Sequence, residues 1–66
     1  MIRLRMLRMD AGHSIESLGV AAQVAPRAIG NIERRKVTPT RSTLKALALE
    51  LNWPVKKYAA LLEEVK

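Results

Sequence analysis

Apolar side chains recur along this chain at three- and four-residue intervals, and short polar, Gly or Pro breaks separate the recurrences. Leu4, Leu7 and Ala11 fall at i, i+3 and i+7, one face of a helix over about 2–11, and Gly12 follows as its stop. Ser14 is a good N-cap for a second helix over about 15–21, with Leu18 and Ala22 inward. Ser17 stands where a full capping box has Glu. Pro26 suits the first position of a third helix over about 26–34, because its missing N–H has no partner there, and Ile29 and Ile32 point inward. Residues 35–39 read as a basic loop broken by Pro39. Thr40 caps a fourth helix over about 41–51, whose stripe is Leu44, Leu47, Ala48 and Leu51. Asn52 and Trp53 form a turn. A fifth helix starts at Pro54 and runs to about 64, with Val55, Tyr58, Leu61 and Leu62 as packing side chains. No stretch alternates long enough for a strand. The pattern predicts an all-α fold, a compact five-helix bundle.

Length and composition narrow the picture. A chain of 66 residues supports one domain, spanning 1–66. There is no cysteine, hence no disulfide framework or thiolate metal site, and the one histidine, His13, cannot make a zinc site by itself. No apolar run approaches the roughly 18 residues of a membrane span, and no apolar segment follows the charged start as in a secretory signal. The expectation is a cytoplasmic protein, nucleoid-associated in a bacterial cell or phage-infected host.

Charge adds a partner. Twelve Lys and Arg face six Asp and Glu, a net charge of +6. Most of it lies in residues 1–41, and Arg34, Arg35, Lys36 and Arg41 meet no acid between them. A concentrated basic stretch fits a polyanion, most often DNA or RNA. Two aromatic residues are too few for a platform that stacks single-stranded bases. No paired carboxylates, Ser–His–acid set or Gly-rich phosphate loop is visible. The chain reads as a non-enzyme with no cofactor, no metal and no small-molecule substrate.

The informative segment is 15–34. Two short helices are joined by about four residues, with Leu18, Ala22, Val24, Ile29 and Ile32 inward and Gly19 where the helices must approach closely. This is the layout of a helix-turn-helix. The wider set of Leu4, Leu7, Arg8, Ala11-Gly12, Ser14, Leu18, Val24, Ile29, Ile32-Glu33-Arg34, Lys36, Pro39, Thr43-Leu44, Leu47-Ala48 and Leu51 resembles, over about 4–58, the Cro/repressor (Xre-type) helix-turn-helix family. Three positions depart from it: Gln23 and Arg35 replace frequent glycines, and Ile15 stands where the family often carries a Gln that meets the DNA backbone. Gly at 23 would suit a turn that wants positive φ.

The resemblance implies that the third helix enters the major groove of double-stranded DNA. Arg27 then offers a fork to guanine and Asn31 suits adenine, while Pro26 and Ala28 can touch thymine methyls. Gly30 would serve close approach to the DNA or to the first helix. Ser14, Arg34, Arg35, Lys36, Thr38, Thr40 and Arg41 become phosphate contacts, which carry affinity rather than sequence information. Arg8 and Glu33 are expected to form a partly buried structural pair between the first and third helices. Arg3 and Arg5 are expected to be solvated, and His13 half-buried in packing. The implied function is a transcriptional regulator, a Cro-like repressor that occludes a promoter. It would bind a palindromic site as a homodimer through the fifth helix and the Trp53 region. An excisionase-like architectural DNA-binding protein and an antitoxin-type protein-interaction module compete with that reading. A cationic membrane binder is disfavoured, because the apolar stripes face different ways and need one another.

Overall fold

Four α-helices form where the apolar spacing predicts them: α1 over Arg3–Asp10, α2 over Ile15–Ala22, α3 over Pro26–Glu33 and α4 over Arg41–Glu50. The computed structural model describes residues 1–65. Ser14 caps α2 by accepting a hydrogen bond from the Ser17 N–H (2.9 Å), and Thr40 caps α4 by accepting from the Thr43 N–H (3.2 Å). Ser17, in place of a capping-box Glu, turns its hydroxyl to the Ser14 carbonyl and lies 2.8 Å from His13 Nδ1.

All four α-helices stop in the same way. A residue one or two positions past each helix takes a left-handed conformation: Gly12 (φ 76°), Gln23 (59°), Arg35 (59°) and Asn52 (58°). The N–H groups of that residue and the next turn back onto the last turn of the helix, as in Val24 N–H to Gly19 O (2.9 Å) and Lys36 N–H to Asn31 O (2.8 Å). This double closure satisfies carbonyls that the helix end would otherwise leave open. Glycine adopts such a φ without steric cost, and Asn tolerates it. Gln23 and Arg35 do not, so two of the four stops carry about 1 kcal/mol of backbone strain each.

The core is a single cluster of Ile2, Leu4, Leu18, Ile29, Ile32, Leu44, Leu47, Ala48 and Leu61, with Leu7, Ile15, Val24, Leu51, Trp53, Tyr58 and Leu62 packed around it. Ala11, expected on the inward face of α1, is exposed, because it lies beyond the last turn. Ile2 instead is buried.

The fifth helix departs from expectation. Val55–Leu62 is a 3-10 helix, broken at Lys57 (φ −105°, ψ 30°). Three residues per turn place side chains differently from an α-helix. Leu61 becomes fully buried, Tyr58 and Leu62 half-buried, and Val55 exposed. Trp53 also turns inward, with its indole N–H donating to the Lys57 carbonyl (2.9 Å) and the Arg3 guanidinium 5.1 Å from its ring centre. Arg3 is thus not solvated. It also donates to Ala60 O (3.1 Å) and Glu63 Oε1 (2.8 Å). The apolar side chains expected to form a homodimer face are largely consumed in closing the monomer's own core.

The two chain ends run antiparallel. Met1 and Val65 exchange backbone hydrogen bonds (2.8 and 2.9 Å), and the Arg3 N–H donates to Glu63 O (2.8 Å). The Met1 α-amino group and Arg35 both bind the Glu64 carboxylate, and together they hold its pKa below the usual range. Among the described residues no helix is long and apolar enough to cross a membrane.

Candidate nucleic-acid interface

The close approach of α2 to α3 depends on Gly19. A Cβ there would sit 2.6 Å from the Val24 carbonyl oxygen and 3.1 Å from Pro26 Cγ, so any side chain would displace the turn. With Gln23 left-handed and Pro26 leaning on the α2 backbone, the chain reverses tightly into α3. Ile29 and Ile32 then anchor one face of α3 in the core, fully or nearly fully buried. The other face stays open: Pro26 and Arg27 are exposed, and Ala28 and Asn31 are half-buried.

The far end of α3 is tied down. Arg8 reaches across from α1 and grips Glu33 with two hydrogen bonds, Nε to Oε2 (2.7 Å) and Nη2 to Oε1 (3.1 Å). A third donor, Arg8 Nη1, meets the His13 carbonyl (2.9 Å). The side chains are 11% and 6% exposed, so this pair is largely desolvated and its geometry must hold. It joins α1, the start of the α2 cap and the end of α3 at one point. His13 is half-buried beside it.

α3 is thus anchored on one face, open on the other and preceded by a tight reversal from α2, the layout of a helix-turn-helix. A family model described as a helix-turn-helix domain matches residues 2–49. The chain belongs to that family. The match covers α1 through nearly all of α4, and the fifth helix lies outside it. No curated protein and no solved structure matches. In helix-turn-helix domains the second helix of the pair lies in the major groove with its N-terminal residues at base edges, and that helix here is α3.

Around this helix-turn-helix, the basic side chains differ in how free they are. Lys36 and Arg41 are exposed and make no ion pair among the described residues, and Thr38 is exposed beside them. Arg35 is held by Glu64, and Arg34 donates to Asn31 Oδ1 (3.1 Å). Thr40 already spends its hydroxyl on Thr43, as donor to Oγ1 (3.0 Å) and acceptor from N–H, whereas Ser14 caps only as an acceptor. The residues named from sequence thus fall into free cations, held cations and capping hydroxyls. Of the two close approaches expected at Gly30, the one to α1 is not made. The nearest atoms to a Cβ there would be the Arg34 guanidinium nitrogens, at 3.3 and 3.4 Å, and no atom of α1 comes as near. Arg3, its contact with Trp53 and its hold on Ala60 and Glu63 carried no local signal, because their partners lie fifty to sixty residues away.

Proposed function

We propose that this helix-turn-helix protein is a sequence-specific, double-stranded-DNA-binding transcriptional regulator, a Cro-like repressor that occludes a promoter when α3 occupies the major groove. One observation carries the reading: α3 is fixed in the core by Ile29 and Ile32, while its N-terminal half, with Arg27 exposed and unpaired, stays open. Arg27 supplies a fork for guanine O6 and N7, and Asn31, one turn on, supplies an amide for adenine. Pro26 and Ala28 offer only apolar contact to thymine methyls. Ser14, Lys36, Thr38 and Arg41 meet phosphates directly, Arg34 does so through the donors that Asn31 leaves free, and Arg35 and Thr40 do so once their internal partners release them. Two copies on a palindromic site, with half-sites one helical turn apart, complete the arrangement. With the fifth helix largely spent inside the monomer, that pairing depends on adjacent half-sites more than on an apolar contact between copies.

Selection of bound fragments from a random duplex pool, followed by sequencing, tests the reading. The expected result is a short motif repeated with dyad symmetry. Enrichment of bent or flexible sequences without a dyad would favour an architectural role, and no enrichment with measurable binding would remove sequence-specific regulation.

A further inference from the structure

A cleft of about 250 Å³ opens where α1, the first residue of α2 and the last turn of α3 meet, lined by Arg5, Arg8, Ile15, Gly30, Glu33 and Arg34. Three arginines and one glutamate are among its lining residues. Glu33 and Arg8 neutralise each other. That leaves Arg5, exposed and with no ion pair among the described residues, and Arg34, whose only side-chain partner is the neutral Asn31 amide. Two like charges lining one cleft disfavour the free protein, and an anion between them removes the penalty.

Gly30 shapes the site. Lacking a Cβ, it lets the Arg34 head lie against the backbone of α3, where a methyl group would press on it at 3.3 Å. Position along α3 identifies the anion. Residues 27, 30, 31 and 34 share one helix face. Seven residues of helix separate Arg27 from Arg34, about 10 Å of rise. The major groove is about 12 Å wide. When Arg27 stands over base edges, the cleft therefore stands at the groove wall, where the sugar–phosphate backbone runs. Guanidinium pairs match phosphate oxygens in geometry as well as charge.

We propose that Arg5 and Arg34 together form a seat for one backbone phosphate of the bound duplex, with the Arg8–Glu33 pair as its rear wall and Gly30 as its floor. This rests on the reading of the chain as a duplex-DNA binder, and it gives Arg5 a role in that binding.

The test uses fluorescence anisotropy with a labelled duplex of random sequence across a salt series. Arg5 is exposed and unpaired, so Arg5→Ala folds as the parent does. Its log K against log salt is expected to be shallower, by less than the value of about 0.9 for one whole phosphate, because Arg34 still meets the same oxygens; the whole of it is lost only when Arg34→Ala is added. Arg5→Lys restores the slope. In the Arg5→Ala/Arg34→Ala double variant the fold-loss in affinity is smaller than the product of the single losses, because both side chains act on one phosphate. A parent-like slope in Arg5→Ala, or losses that simply multiply, overturns the shared seat. A rise in melting temperature with inorganic phosphate at constant ionic strength, seen in the parent and absent in Arg5→Ala, would assign the cleft to a free anion and overturn the backbone assignment. If the parent itself binds no duplex at low salt, the failure lies with the proposed function and not with the cleft.

Discussion

The two ends of α3 are built on opposite principles. At its C-terminal end three arginines are engaged: Arg8 on Glu33, Arg34 on Asn31, Arg35 on Glu64. At its N-terminal end Arg27 has no hydrogen bond among the described residues, and the preceding turn is held by backbone geometry and the absence of a side chain at Gly19. One end is positioned by charge, the other left free by it. On the proposed function α3 needs both, since a free side chain discriminates only if the helix that carries it does not slide. The locked end limits movement, and the open end keeps its donors for a ligand.

The largest effect is expected from unlocking the C-terminal end. Removing one partner of a largely buried ion pair strands the other charge, at about 3–5 kcal/mol. For a domain of this size each kcal/mol lowers the melting temperature by roughly 4–8 °C. Glu33→Ala should therefore lose more than about 12 °C in a thermal melt followed by circular dichroism. A loss of only a degree or two would mean that α3 is held by its apolar face alone.

Next comes the open end. Arg27→Ala should leave stability almost untouched and weaken the best site by about 1–3 kcal/mol, with preference flattened at one base of each half-site. Affinities of parent and variant for every single-base change in the selected motif decide the matter. Uniform weakening with the preferences intact would demote Arg27 to a backbone contact and leave specificity to Asn31 and Pro26.

The turn that launches α3 gives an effect of opposite sign. Gln23→Gly removes a Cβ from a left-handed residue and should stabilise by about 1 kcal/mol, measured by urea denaturation. A destabilised variant would mean that the Gln23 side chain contributes more than its backbone costs. Beyond the locked end, Lys36→Ala should weaken all duplexes alike and make the salt slope shallower by about 0.9. An altered base preference would move Lys36 into the reading surface.

The smallest effect concerns the hold on Arg35. Glu64 titrates below its ordinary 4.5 because the Met1 α-amino group, and then Arg35, hydrogen-bond its ionised form. A carboxyl with a depressed folded-state pKa contributes stability that is complete above the unfolded value and disappears as pH falls through the folded one. Glu64→Gln should therefore make the acid-side loss of stability, which begins near pH 4.5, less steep in thermal melts. An unchanged acid limb would show that this exposed cluster adds nothing measurable.

The open end of α3 was easier to read in the sequence than the locked end, for a physical reason. Pro26, Ile29 and Ile32 announce a helix and its buried face through local rules of spacing and capping. The αL stop at Gln23 is equally local, since it belongs to the helix end itself. Arg35 at the close of α3 follows the same rule, and only its partner Glu64 was hidden. The 3-10 form of the last helix was also hidden. Its apolar spacing, Val55, Tyr58, Leu61 and Leu62, suits an α-helix, whereas the segment packs against α4 and α1 as a 3-10 helix broken at Lys57. Arg3 shows the same limit. Its charge suggests solvent, but Trp53 and Glu63 come to it only after the chain has closed on itself.

The pairing of Met1 with Val65 has a consequence for how the molecule bears force. Residues 1–3 and 63–65 are joined by backbone hydrogen bonds across an antiparallel pair. A pull applied between Met1 and Val65 would load those bonds one after another, from the outside inwards, and open them as a zipper opens. Only after the last had parted would tension reach α1 and the buried Leu61. The clasp is therefore the first part of the fold to yield, ahead of the core.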